Sequence, residues 1–113
     1  MHELSVALSL LQEVERIARE EHASEVLRVT VAVGALSGVE AQALETCFPL
    51  VAEGSMAAKA ELTIMRLPTE VECRACGAKD AAELPMLSCP ACGSIDVDVV
   101  QGRELLIKSL EVQ

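Results

Sequence analysis

The sequence predicts an α+β fold: two helices packed on a small three-stranded sheet, with a cysteine-bearing module inserted between the second and third strands. Three observations lead there. Apolar residues recur at helical spacing near the N-terminus and again after residue 40. They alternate with polar ones in three short stretches near residues 27–33, 61–67 and 103–111. Four of the five cysteines fall within residues 70–101, where apolar periodicity fades.

Taken in order, Leu4, Ala7, Leu8, Leu11, Val14 and Ala18 recur at three and four, while Gln12, Glu13, Arg16, Arg19 and Glu20 fall elsewhere. This predicts an amphipathic helix from near residue 1 to about Glu21, with His22 at its end, where the helix dipole favours a partly positive imidazole. Leu27, Val29, Val31 and Val33 alternate with Arg28, Thr30 and Ala32, as in a strand with one face on a core, and Gly34 ends it. Ser37 followed by Glu40 fits a capping box. Ala41, Leu44, Cys47, Phe48 and Val51 then form the apolar face of a second helix, in which Cys47 reads as a small buried hydrophobe and Pro49 predicts a kink or an early end. Leu62 and Ile64 mark a second strand that stops at Pro68. A last strand covers Glu104 to Val112, with Leu106 and Leu110 on one side and Leu105 and Ile107 on the other. The expected division is therefore an α+β body of residues 1–69 plus 102–113, and a module of residues 70–101. Because the module leaves one strand and re-enters the next, those strands are expected to be near neighbours.

Composition excludes several functions. The 113 residues are 51% hydrophobic but include one aromatic residue, Phe48, so the core is aliphatic and no aromatic platform exists for bases. A formal charge of −9 opposes binding to a phosphate backbone, so no nucleic-acid partner is expected. No run approaches the ~18 apolar residues of a membrane span. The N-terminus lacks the basic region and cleavage site of a signal peptide, so the expected location is the cytoplasm, where cysteines stay reduced. No Ser/His/Asp set is apparent, and an enzyme is not expected.

Cys73-Arg-Ala-Cys76-Gly77 and Cys89-Pro-Ala-Cys92-Gly93 are matching turns with twelve residues between Cys76 and Cys89. Two thiolates on such a turn can point at one ion, and two turns complete a tetrahedron. Zn²⁺ is the first choice, and one iron held by four thiolates the second. Four protein sulfurs leave no open position, so the site is expected to be structural and the module zinc-ribbon-like.

The chain opens Met1-His2-Glu3. The Met1 amine, the His2 amide nitrogen and His2 Nδ1 can form fused chelate rings suited to tetragonal or square-planar Ni²⁺ or Cu²⁺, with Glu3 adding its amide or carboxylate. The bulky second residue is expected to discourage removal of Met1. The alternative is an acidic residue that simply complements the helix dipole.

Met-His-Glu at the start, Gly34-Ala-Leu-Ser-Gly-Val-Glu40, the two Cys-x-x-Cys-Gly turns and the ending Gly102-Arg-Glu-Leu-Leu-Ile-Lys-Ser-Leu-Glu111 together resemble the HypA/HybF hydrogenase-maturation proteins across nearly the whole chain. The resemblance implies a small metallochaperone that delivers nickel to the large subunit of [NiFe]-hydrogenase with the GTPase HypB. It implies His2 and Glu3 as nickel ligands, with Glu40 as an extra oxygen ligand, and Cys73, Cys76, Cys89 and Cys92 as zinc ligands; the Met1 amine rests on the chelate-ring chemistry alone. A monomer or weak homodimer is expected. Some family members carry histidines beside these cysteines, whereas His2 and His22 are the two histidines here, so no nickel ligand is expected from the zinc module. Two other classes compete: a zinc-ribbon adaptor that docks a basic partner without nickel transfer, and a small iron electron carrier.

Overall fold

A computed structural model describes residues 2–83 and 86–113. Helix α1 spans His2–Glu20 and strand β1 Val26–Gly34, followed by α2 Ala41–Ala52 and β2 Glu61–Leu67. Strands β3 Glu70–Cys73, β4 Lys79–Ala81 and β5 Val97–Gln101 come next, and β6 Leu105–Val112 closes the chain. The fold is α+β. Two separate three-stranded sheets form, in the orders β2-β1-β6 and β4-β3-β5. The second sheet was not foreseen, because its short strands carry little apolar alternation. The molecule measures 52 × 28 × 16 Å, and its 17.1 Å radius of gyration exceeds the ~13 Å of a compact chain of this size. Among the described residues, no helix is long and apolar enough to cross a membrane.

Helix α1 buries Ala7, Leu11, Val14 and Ala18 and half-buries Val6 and Leu10, so its buried arc turns away from Leu4 and Leu8, which stay 40% and 47% exposed. Its end is a Schellman closure. The His22 amide donates to the Arg19 carbonyl and the Ala23 amide to the Ala18 carbonyl, with His22 in the left-handed region at φ 56°. The capping box shifts by three residues. Ser37 Oγ accepts from the Val39 amide inside a turn, and the N-cap of α2 is Glu40, whose carboxylate accepts from the Gln42 amide at 3.1 Å. The helix runs past Pro49 and stops at Ala52, within one turn. Phe48 and Leu44 on its inner face, with Val14, Val26, Val29 and Val31, form the fully buried centre of the core. Cys47 is half-buried against it.

Strand β1 is the middle strand, parallel to β2 through the α2 crossover and antiparallel to β6. The strands that flank the inserted segment are therefore not neighbours. β1 separates β2 from β6 by two strand spacings, about 10 Å. Two register shifts correct the expected faces. One, between Val26 and Arg28, leaves Leu27 41% exposed and buries Val26 in its place. The other pairs Thr30 with Ser109 and Val31 with Ile107, so Lys108 is the extra residue. A bulge inverts the alternation beyond it, and Ile107 and Leu110 both face the core instead of opposite sides.

The two sheets meet where β1 ends. The Gly34 amide donates to the Glu104 carbonyl at 2.7 Å, and the Leu36 amide to the Gly102 carbonyl at 2.6 Å. A Cβ on Gly34 would lie 2.1 Å from the Gly102 oxygen, so only glycine permits this crossing. The loop that leads to Glu40 is thereby held against the residue that follows β5.

Candidate metal centre

The two cysteine turns are alike in structure as in sequence. In the first, the Cys73 amide donates to the Ala78 carbonyl at 2.8 Å and the Gly77 amide to the Cys73 carbonyl at 2.9 Å. In the second, Cys89 bonds to Ser94 at 2.8 Å and Gly93 to Cys89 at 2.8 Å. Gly77 and Gly93 occupy φ of 78° and 80°, where a side chain would be strained, which explains the glycine after each Cys-x-x-Cys. Strand β3 delivers Cys73 at its last residue, and β5 begins four residues beyond Gly93. Pairing of Cys73 with Val97 across these strands brings the turns together.

Their four sulfurs all lie within 4.8 Å of one another. Cys73 Sγ stands 3.7 Å from Cys92 Sγ, and Cys76 Sγ stands 3.6 Å from Cys89 Sγ. A tetrahedral ion with ~2.3 Å bonds to sulfur spaces its ligands by about 3.8 Å, whereas a disulfide needs about 2.05 Å. The cluster therefore fits one ion and no disulfide. Cys73 and Cys89 are buried, while Cys76 and Cys92 are exposed residues whose sulfurs also turn into the cluster.

Backbone amides prepare the buried pair for ionisation. The Cys76 and Ala75 amides point at Cys73 Sγ from 3.4 and 3.3 Å and lower its pKa. The Cys92 amide does the same for Cys89 at 3.4 Å, bringing that thiol down to about 7. Cys76 and Cys92 move the other way. The Ala78 and Ser94 amides favour their thiolates, but neighbouring sulfurs and desolvation prevail, and Cys92 is pushed up to about 12. Proton loss is thus favoured at Cys73 and Cys89 and opposed at Cys76 and Cys92. An ion that takes all four sulfurs must displace their protons, so its binding weakens as pH falls.

A side-chain clamp that the sequence reading missed joins the first turn to β5. Arg74 pairs with both Asp96 and Asp98. Its signal was present: a charged residue inside a Cys-x-x-Cys turn, and two acids that flank Val97, the first residue of β5.

At the far end of the sequence, His2 is exposed at the start of α1, and Glu3 beside it is half-buried. Glu3 Oε2 accepts the Glu40 amide at 3.3 Å, which joins the first turn of α1 to the cap of α2. This bond lowers the Glu3 pKa and keeps its carboxylate charged. His2 also opens a groove of about 690 Å³ lined by Val6, Leu10, Leu105 and Ile107. The fold thus brings the Glu40 backbone to the Glu3 carboxylate, next to His2 in sequence, while the Glu40 carboxylate caps α2. Among the described residues, however, the four cysteines are the one cluster of three or more close ligand groups. The Met1 amine, expected as a further nickel ligand, lies outside the described residues.

Comparison with known proteins bears on both sites. Residues 1–112 match the family model described as hydrogenase/urease nickel incorporation, metallochaperone, hypA. The hydrogenase maturation factor HypA of Aquifex aeolicus is 40% identical over 113 residues, covering all of this chain and 98% of that protein. That of Chlorobium limicola is 39% identical, with coverage of 100% and 97%. The solution structure of the Ni metallochaperone HypA from Helicobacter pylori superposes with a TM-score of 0.70 at 30% identity, over 97% of this chain and 96% of that one.

Proposed function

Because the chain belongs to the HypA family of nickel-incorporation metallochaperones, we propose that it carries Ni²⁺ to the large subunit of a [NiFe]-hydrogenase, in the cytoplasm and together with a HypB-type GTPase. Nickel is cargo here. Its ligands are His2 and Glu3, with the Met1 amine and Glu40 as additional donors. The observation that supports this reading is the bond from the Glu40 backbone amide to the Glu3 carboxylate, which brings a residue 37 positions away to the neighbour of His2. A site at a chain end with few side-chain ligands exchanges metal readily, as a carrier requires.

The cysteine cage has the complementary role. Cys73, Cys76, Cys89 and Cys92 would hold Zn²⁺, which supplies structural cross-linking and, with four protein sulfurs, no catalytic position. The corresponding division is a nickel-binding body of residues 1–69 plus 102–113 and a zinc module of residues 70–101.

Nickel titration of the untagged chain, with metal analysis before and after, tests this. His2→Ala is expected to abolish tight nickel binding and leave zinc content and thermal unfolding nearly unchanged. Glu40→Ala is expected to act more weakly. One residue added before Met1 turns the amine into an amide and is expected to lower nickel affinity, while His2 and Glu3 remain. Nitrogen donors lose protons on coordination, so binding strengthens as pH rises. A His2→Ala chain that binds nickel like wild type would remove the N-terminal site.

A further inference from the structure

Arg74 sits inside the first cysteine turn, yet its bonds reach Asp96 and Asp98, on the segment that leaves the second turn and enters β5. Its backbone amide donates to the Asp96 carbonyl at 2.9 Å. Its Nε donates to Asp98 Oδ2 at 3.0 Å, its Nη2 to Asp98 Oδ1, and its Nη1 to Asp96 Oδ1 at 2.8 Å. One planar guanidinium thus grips two carboxylates, one of them in a bidentate fork that a lysine ammonium cannot reproduce. The acids project from residues 96 and 98, which straddle Val97, the register partner of Cys73. The grip therefore closes directly beside a cage sulfur.

The second turn lacks such a tether. Pro90 and Ala91 occupy the positions that match Arg74 and Ala75, and neither carries a side-chain donor. Its two closing backbone bonds stay within residues 89–94. Apart from the sulfur contacts with Cys73 and Cys76, no hydrogen bond among the described residues ties residues 89–93 to β3 or β5. Two turns with the same local geometry are therefore anchored unequally.

We propose that Arg74 is a positioning residue of the four-sulfur cage: it clamps the first cysteine turn to β5, so that the ion enters and leaves by opening of the second turn, past Cys89 and Cys92. The inference rests on the zinc reading of the cage. The three side chains are each more than half exposed, so the clamp contributes modestly to global stability. Its effect falls on the order and rate of ligand loss, because a turn held at Cys73 and Cys76 recaptures the ion whenever the second turn closes again.

The test uses zinc-loaded full-length protein, with zinc release to an excess of colorimetric chelator and pulsed N-ethylmaleimide labelling mapped by peptide mass spectrometry. In wild type, Cys89 and Cys92 are expected to label before Cys73 and Cys76. Arg74→Ala is expected to release zinc about three- to tenfold faster, as the loss of two exposed ion pairs would allow, and to label both turns alike. Arg74→Lys should fall between, since an ammonium engages one carboxylate at a time, and raised ionic strength should speed wild type more than Arg74→Ala. Should Arg74→Ala fail to retain zinc at all, Arg74→Lys and Asp98→Asn carry the comparison and must both exceed the wild-type rate. A zinc-loaded wild type whose first turn labels first, or variants that release at the wild-type rate, would overturn the clamp. Wild-type protein that binds no zinc would instead overturn the zinc reading on which it rests.

Discussion

The β2-β1-β6 body and the β4-β3-β5 module are both three-stranded sheets, but different forces hold them. The body packs α1 and α2 on one face of its sheet and buries Val14, Val26, Val29, Val31, Leu44 and Phe48 completely. Among its described residues the module has no helix. Its buried apolar side chains among the described residues are Val71, Cys73, Ala82 and Cys89, two of which are cage sulfurs. Aliphatic burial stabilises the first region by roughly 1.5–3 kcal/mol per large side chain, while the second depends on an ion in place of a core. Under the proposed function, such a division would let the chain keep a permanent ion in the module and exchange nickel at the N-terminus, because the proposed sites share no ligands.

The largest expected effect is metal removal. Stripping zinc with a strong chelator should disorder residues 70–101 and leave the body folded, since structural zinc contributes on the order of 10 kcal/mol in small domains. Amide hydrogen exchange checks this, and protection in β3 and β5 that survives in metal-free protein would break the contrast. Loaded protein should also be colourless, whereas iron in the same cage would absorb visibly and undergo reversible reduction.

Next comes the body's own core. Phe48→Ala should cost about 3–5 kcal/mol in thermal or denaturant unfolding of the body without changing zinc stoichiometry. A variant that lost zinc in parallel would show that the regions fold as one unit. A smaller effect is expected at their junction. Gly34→Ala forces its Cβ against the Gly102 carbonyl and should destabilise by about 2–3 kcal/mol, with amide shifts in both sheets. Shifts confined to the body would remove the junction as a shared element.

The smallest effect belongs to Glu3. The Glu40 amide holds its carboxyl below the ordinary value of 4.5. A group depressed in the folded state contributes stability that is present above the unfolded value and is lost as pH falls through the folded one. The Glu3–Glu40 tether should therefore persist at pH 5 and release only as pH falls below the ordinary carboxylate value of 4.5. The Glu40 amide chemical shift reports it. A shift that titrates above pH 5 would contradict the assigned direction.

Much of this molecule was legible because the information is local. Residues 7, 11, 14 and 18 define the buried stripe of α1 by spacing alone, and each Cys-x-x-Cys-Gly run closes its own turn through bonds that span at most five residues. Each turn's ability to present two sulfurs to one ion follows from its sequence. Only the tertiary structure decided that β1 lies between β2 and β6, that bulges at Leu27 and Lys108 invert the expected faces, and that Gly34 crosses Gly102. It likewise decided that Glu3 reaches Glu40 and that Arg74 reaches Asp96 and Asp98. Those contacts join residues 22 to 68 or more positions apart. Their partners are chosen by which strands and helix ends finally pack together, and no local periodicity records that choice.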